Sequence, residues 1–212
     1  LDTLRPDRFR ALTGRDNLTA VLDGIRAAAD AGFTGTKLDS VLLRGCNDNE
    51  LFDLLEFGRH AGIEVRFLEY MDVAGATRWT LDQVFTRAEI LAALTLRYGR
   101  VEPLAENGSA PAQLFCLPDG TTFGIISSTT TPFCRTCDRS RLTSDGLWFL
   151  CLYATRGLDL RRPLRKGDSR EAIQTLIRHA WQQRDDRGAE LRKQVPDRCA
   201  FIPLEGLRRD PH

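Results

Sequence analysis

The chain has 212 residues, 42% apolar and 28% charged, which is enough for one large domain or two modest ones with a real hydrophobic core. Thirty Lys and Arg against 29 Asp and Glu leave a net charge of +1, so strong nonspecific affinity for nucleic acid or membranes is not implied. No run of 18 apolar residues is present, so no spanning helix is expected. Nucleic acid and membrane are therefore not expected partners.

Position 1 is leucine, Met71 is the only methionine, and no charged-then-apolar leader opens the sequence, so the chain reads as part of a longer protein. Residues 1–13, with Arg5-Pro6, read as a loop or short turn. After Asn17, apolar residues at Leu18, Val21, Leu22, Ile25, Ala28 and Ala29 make the stripe of an amphipathic helix, with Gly32 at its C-terminal cap. Thr36 to Leu43 is β-compatible. Asn47-Asp48-Asn49-Glu50 resembles a capping box ahead of a second helix that ends near Ala61-Gly62, and Ile63 to Tyr70 reads as a second strand. Helix, strand, helix, strand at this spacing predicts βα units on a parallel sheet, in an open α/β fold or a barrel.

Two strand residues do not suit a plain core. Lys37 shares a strand face with Asp39 and Val41, and Arg66 shares one with Leu68. Each cation either pairs with a neighbour such as Asp39 or Glu64, or points at an anionic ligand.

Beyond Met71-Asp72 the pattern changes. A helix over roughly 87–94 precedes strand-like pieces at 100–104, 113–117 and 121–127, with Asn107-Gly108 and Asp119-Gly120 as turns; Asp119-Gly120 is a strong hairpin signal. Asp145-Gly146 marks a turn before a strand at 147–153. A last helix, 169–183, carries Ala172, Ile173, Leu176, Ile177 and Ala180 on one face, and the charged remainder from Arg184 reads as irregular. The expected division is 1–79 and 80–212, the second part an α+β domain with antiparallel strands.

The stretch Phe133–Tyr153, FCRTCDRSRLTSDGLWFLCLY, carries the chemistry. Cys134 and Cys137 form a C-x-x-C pair, Cys151 follows, and Arg139 and Arg141 alternate about Ser140. A redox dithiol leaves Cys151 unexplained, and structural zinc wants a fourth ligand, for which Cys116, Cys199 and His179 are the candidates. Three cysteines alone suit a four-iron cluster with one open iron. Spacing leaves iron–sulfur, zinc and free or disulfide-bonded cysteines all open. In an extended segment the two guanidiniums project to one side, a geometry suited to carboxylate or phosphate. Cys46, Cys116 and Cys199 read as ordinary thiols in a reducing, cytoplasmic setting.

That stretch resembles the C-terminal cluster motif of the radical S-adenosylmethionine (SAM) GTP 3′,8-cyclases of molybdenum cofactor biosynthesis. The resemblance extends over Leu1-Asp2-Thr3-Leu4, Thr13-Gly14-Arg15-Asp16, Lys37, Gly45 with Asn47 to Glu50, and Arg66 to Met71. It implies the later strands of an incomplete radical-SAM TIM-like barrel at 1–79, followed by a cluster-binding and GTP-binding domain at 80–212. It implies conversion of GTP, with SAM, to (8S)-3′,8-cyclo-7,8-dihydroguanosine 5′-triphosphate. Cys134, Cys137 and Cys151 then hold a [4Fe–4S] cluster whose open iron takes the guanine. Lys37, Arg139, Ser140 and Arg141 match GTP-contacting positions. Arg66 matches a basic, candidate catalytic position beside the substrate, and Met71 a SAM contact. The resemblance also allows a homodimer and implies a downstream pathway partner, cyclic pyranopterin monophosphate synthase.

The family's C-x-x-x-C-x-x-C, which holds the second, N-terminal cluster that cleaves SAM, is not among these residues, and Asp39 stands where the family carries Asn. The chain alone is therefore expected to be inactive. The rival expectation is a noncatalytic zinc-binding module with a nucleotide or protein partner.

Overall fold

The computed structural model describes residues 1–73, 79–105, 108–195 and 198. They fall into two compact units, 1–71 with 81–131, and 72–80 with the residues from 132 onward.

The first unit is a five-stranded mixed sheet whose strands lie side by side as β1 (Lys37–Leu42), β2 (Glu64–Glu69), β5 (Thr122–Ile126), β4 (Gln113–Cys116) and β3 (Glu102–Pro103). Strands β1 and β2 run parallel, joined by helix α3 (Leu51–His60). Strands β3, β4 and β5 pair antiparallel, the β4–β5 hairpin turning at Asp119-Gly120 with Gly120 at φ 86°. That turn needs the left-handed backbone that glycine supplies.

Strand β5 also lies parallel to β2, with Gly124 opposite Arg66, so the sheet continues past residue 80. The division into compact units and the expected division at 79/80 do not coincide. Hairpin chemistry predicts only the local β4–β5 pairing; the apolar run Phe123–Ile126, buried throughout, qualifies β5 for an interior position. The architecture is α/β with mixed and antiparallel sheets.

Alternation sorts β1 and β2 into two faces. Leu38 and Leu42, with Val65 and Phe67, join Leu51, Leu54 and Leu55 of α3 and Ile90 and Leu94 of α4 (Arg87–Tyr98) in one core. Truncating a fully buried leucine such as Leu54 costs about 2–5 kcal/mol. The opposite face carries Lys37, Asp39, Glu64 and Arg66.

Two local expectations are corrected here. Pro6 opens a helix, α1 (Pro6–Thr13), because proline at the first helical position loses no hydrogen bond and has a suitable φ. Helix α2 (Leu18–Asp30) forms as the stripe predicts. The capping box at Asn47 does not form. Asn47 accepts from Leu43 N at 2.7 Å and donates to Asp2 O and Val41 O. Glu50, fully buried, accepts from the Thr3 hydroxyl (2.6 Å), Leu4 N (2.8 Å) and Arg8. A 3₁₀ turn, Asp48–Glu50, leads into α3 instead. The capping box that does form is Thr86 with Glu89 at the start of α4.

The second unit has a small antiparallel sheet, β6 (Arg141–Leu142), β7 (Leu147–Phe149) and β8 (Leu158–Asp159). Around it are helices α5 (Arg161–Lys166), α6 (Arg170–Gln182, capped by Ser169) and α7 (Gly188–Lys193). Helix α7 corrects the irregular reading of the chain from Arg184. Trp148 of β7 and Trp181 of α6 stack with centroids 6.1 Å apart and planes 17° from parallel. Asn107 and Cys199 lie outside the described residues. Among the described residues no helix is long and apolar enough to cross a membrane.

Candidate functional site

In the second unit the C-x-x-C pair sits on one 3₁₀ turn, Cys134–Thr136, closed by Cys137 N donating to Cys134 O at 3.3 Å. The segment is thus curled at 134–136 and becomes extended only from Cys137 into β6. Cys151 follows β7, whose Phe149 pairs with Arg141 across the hairpin. Helix α7 begins against it: a Cβ on Gly188 would come within 2.8 Å of Cys151 Sγ and 2.5 Å of Tyr153 Cβ. Only glycine permits that approach.

Three guanidiniums lie near Cys137, and one of them, Arg141, also feels Cys151. Arg139 Nη2 lies 3.5 Å from Cys137 Sγ, and its guanidinium lies over the Phe133 ring at 4.6 Å. Arg184 Nη2 lies 3.4 Å from the same sulfur, and its Nη1 donates to the Cys137 carbonyl. Burial pushes the Cys137 thiol up. The Arg139 backbone N–H and the Arg184 and Arg139 guanidiniums outweigh it, so the thiol rests below its ordinary range. Burial and repulsion from Arg139 draw Arg141 down from its usual range, opposed by Cys151 and Cys137. Arg139 and Ser140 are exposed, and Arg141 is half-buried.

Asp72 braces this unit. Fully buried, it accepts from Tyr153 Oη (2.7 Å), from Arg192 Nε (2.9 Å) and Nη2 (2.7 Å), and from Arg198 Nε (2.8 Å) and Nη2 (3.1 Å). Burial pushes its carboxyl up, and the two guanidiniums and the phenol more than reverse that, so it titrates below the usual carboxylate range. Tyr153 is pushed well above an ordinary phenol by burial and by Asp72. Asp72 therefore ties α7 to the turn that carries Cys151.

In the first unit Lys37 and Arg66 share the open sheet face. Arg66 Nε donates to Glu64 Oε1 at 2.8 Å, the neighbour pairing that its strand position allows. Its aliphatic stem lies over Gly124, where an added Cβ would sit 3.0 Å from Arg66 Cγ. Lys37 is exposed and donates to Gly35 O at 3.1 Å. Met71 follows β2, half-buried. Glu69, at the end of β2, is buried and accepts from Arg87 N, Thr129 N and Thr130 N at 2.7–2.9 Å, fastening the strand to α4 and to the loop after β5.

The sequence-predicted residues thus form two groups, one in each unit. Arg184, Gly188 and Asp72 escape sequence reading because each acts on residues distant in the chain. The only available hint is Trp181 followed by Arg184 at the end of a predicted helix.

Among the described residues no three His, Cys, Asp or Glu side chains are gathered closely enough to hold a single metal ion. A mononuclear zinc site draws its thiolates to about 2.3 Å from one point, whereas a four-iron cage spreads them over separate irons. His179 is exposed on α6, and the half-buried Cys116 donates to Leu117 O at 3.3 Å. The described free cysteines include Cys134, Cys137 and Cys151. Thiols whose neighbours are cations suit ligation as thiolates, and the donor set fits an iron–sulfur group.

Residues 63–190 match the Molybdenum Cofactor Synthesis C family. The chain is 54% identical over its whole length to GTP 3′,8-cyclase 1 of Mycobacterium tuberculosis (strain H37Rv), of which it covers 59%. It is 43% identical over 182 residues to GTP 3′,8-cyclase of Streptomyces coelicolor, covering 85% of this chain and 53% of that protein. It is 37% identical over 194 residues to GTP 3′,8-cyclase of Aquifex aeolicus, covering 91% and 58%. The chain spans 53–59% of the length of these curated relatives.

Proposed function

This chain belongs to the Molybdenum Cofactor Synthesis C family, and we propose that it is the substrate-gripping part of a GTP 3′,8-cyclase. In this reading Cys134, Cys137 and Cys151 hold a [4Fe–4S] cluster. When bound, that cluster supplies an open iron as a Lewis-acid contact for the guanine. Arg139, Ser140 and Arg141 bind GTP beside it, and Lys37 contributes a further cation for the triphosphate. Arg66, its guanidinium oriented by Glu64, is the candidate catalytic side chain, and Met71 contacts SAM. Strands β1 and β2 belong to the later part of an incomplete radical-SAM barrel, with the GTP-binding domain in the second part of the chain. The wider reading is a cytoplasmic enzyme, able to pair with itself, that passes (8S)-3′,8-cyclo-7,8-dihydroguanosine 5′-triphosphate to a cyclic pyranopterin monophosphate synthase. These 212 residues carry no C-x-x-x-C-x-x-C, so by themselves they are expected to release no 5′-deoxyadenosine from SAM.

The observation that carries this reading is the crowding of Arg139, Arg141 and Arg184 around thiols, an arrangement that favours anionic ligands. The test is equilibrium GTP binding to anaerobically reconstituted protein. Arg139→Ala and Arg141→Ala each remove a charge-assisted contact of about 1.5–3 kcal/mol, roughly a 10- to 150-fold loss of affinity. Unchanged GTP affinity in both variants refutes the grip. Stoichiometric zinc without acid-labile sulfide would instead establish the zinc module.

A further inference from the structure

We propose that Arg184 is a positioning residue that fixes Cys137 and keeps a cation on its sulfur whether or not substrate is bound; this rests on the cluster reading above. One guanidinium reaches Cys137 twice, at the carbonyl oxygen and at Sγ, 3.4 Å away. Its plane lies over the Trp181 ring at 4.9 Å, and Trp181 stacks on Trp148, three residues ahead of Cys151. Arg184 thus connects the turn bearing two cysteines to the strand that leads to the third.

Arg139 touches the same sulfur, at 3.5 Å, from an exposed position. An anionic ligand that recruits Arg139 takes that cation from the sulfur. Arg184, half-buried and held by both Trp181 and the Cys137 carbonyl, stays. The two arginines therefore divide the work: Arg139 serves the ligand and Arg184 serves the thiolate. Donors and positive charge at a ligating sulfur stabilise the more negative, reduced form of a cluster and raise its potential.

The experiment is an EPR-monitored redox titration of the full-length, anaerobically reconstituted protein, in which the signal lost on Cys151→Ser identifies the cluster. Arg184→Gln, which removes the charge but keeps an amide donor, is expected to shift the reduced-to-oxidised equilibrium about tenfold toward the oxidised form. That is about 59 mV lower for a one-electron couple. Arg184→Lys, which keeps the charge, is expected to stay within threefold of wild type. A glutamine variant within threefold of wild type overturns the assignment, as does a lysine variant that falls as far as glutamine. Should the glutamine variant fail to hold iron, the lysine variant decides: iron retained at the wild-type potential supports the role, and iron lost or a lowered potential overturns it. A wild-type protein with no signal on these cysteines refutes the cluster reading and this assignment with it. A wild-type signal indifferent to Arg184 refutes only the role given to this arginine.

Discussion

Replacing Asp72 with Asn removes one charge and almost no volume, so it isolates what the buried carboxylate contributes. Asp72 is fully buried and accepts from three side chains, including two guanidinium forks. The Arg192 and Arg198 side chains are 17% and 8% exposed, so water can replace little of what they lose. Leaving buried charges without their counter-charge costs about 3–5 kcal/mol. At about 2 kcal/mol per molar of urea, the unfolding midpoint should fall by about 1.5–2.5 M. All three tryptophans, Trp79, Trp148 and Trp181, lie in the second unit, so their fluorescence reports its unfolding and not that of the first. A midpoint shift below about 0.5 M in Asp72→Asn would mean that Asp72 does not hold α7 to the Cys151 turn.

Gly188→Ala places a Cβ 2.8 Å from Cys151 Sγ and 2.5 Å from Tyr153 Cβ. Relief costs about 1–3 kcal/mol and displaces the thiol, so both tryptophan-monitored stability and iron content should fall; a variant with full iron and wild-type stability contradicts the close packing. Glu69→Gln keeps one oxygen acceptor but turns an amide N–H₂ toward backbone donors, at about 2–4 kcal/mol, read as a lower midpoint in thermal unfolding by circular dichroism. A loss under about 1 kcal/mol rejects the latch. Hydrogen bonding by Arg44, with help from Thr86, lowers Glu89 from an ordinary 4.5 to about 2. A depressed carboxylate stabilises the fold above its unfolded pKa, and that contribution disappears as pH falls from about 4.5 through about 2. The pair is about 40% exposed, so its worth is at most about 1 kcal/mol. The stability gap between wild type and Glu89→Gln, read from amide exchange in α4, should close over that acid range; a constant gap refutes the ion pair.

Patterns with short reach were legible in the sequence. The stripe at Leu18–Ala29, the alternation in β1 and β2, and the Asp119-Gly120 hairpin each depend on neighbours within a few residues, and each formed. Long-range preferences decided the rest. Asn47 and Glu50 have the residue types of a capping box, yet Asp2, Thr3, Leu4 and Arg8 offer partners more than forty residues away, and these prevail over the local cap. Strand β5 was legible as a strand but not as the parallel neighbour of β2, because hairpin residues say nothing about the far edge. The candidate site divides the same way. Cys134, Cys137, Arg139 and Arg141 lie within eight residues of one another and could be read together. Arg184, Gly188 and Asp72 hold that segment from 72 and from 184–188, where no local pattern marks them.

A net charge of +1 conceals the local electrostatics of the second unit. Arg192 and Arg198 face Asp72, a carboxylate ionised across the physiological range, and part of their charge is offset there. Arg139 and Arg184 face Cys137, while Arg141 sits in the field of Cys137 and Cys151. A thiol offsets a cation when it loses its proton, so the second group gains balance as these cysteines become thiolates or an anion arrives. In the function proposed above, ligation of the sulfurs and binding of a polyanion relieve the same imbalance, and they compete for it at Arg139. Arg184 lessens that competition by giving Cys137 a cation that the ligand does not recruit. Two arginines beside one sulfur are therefore not redundant, and removing Arg184 should matter most when Arg139 is engaged elsewhere.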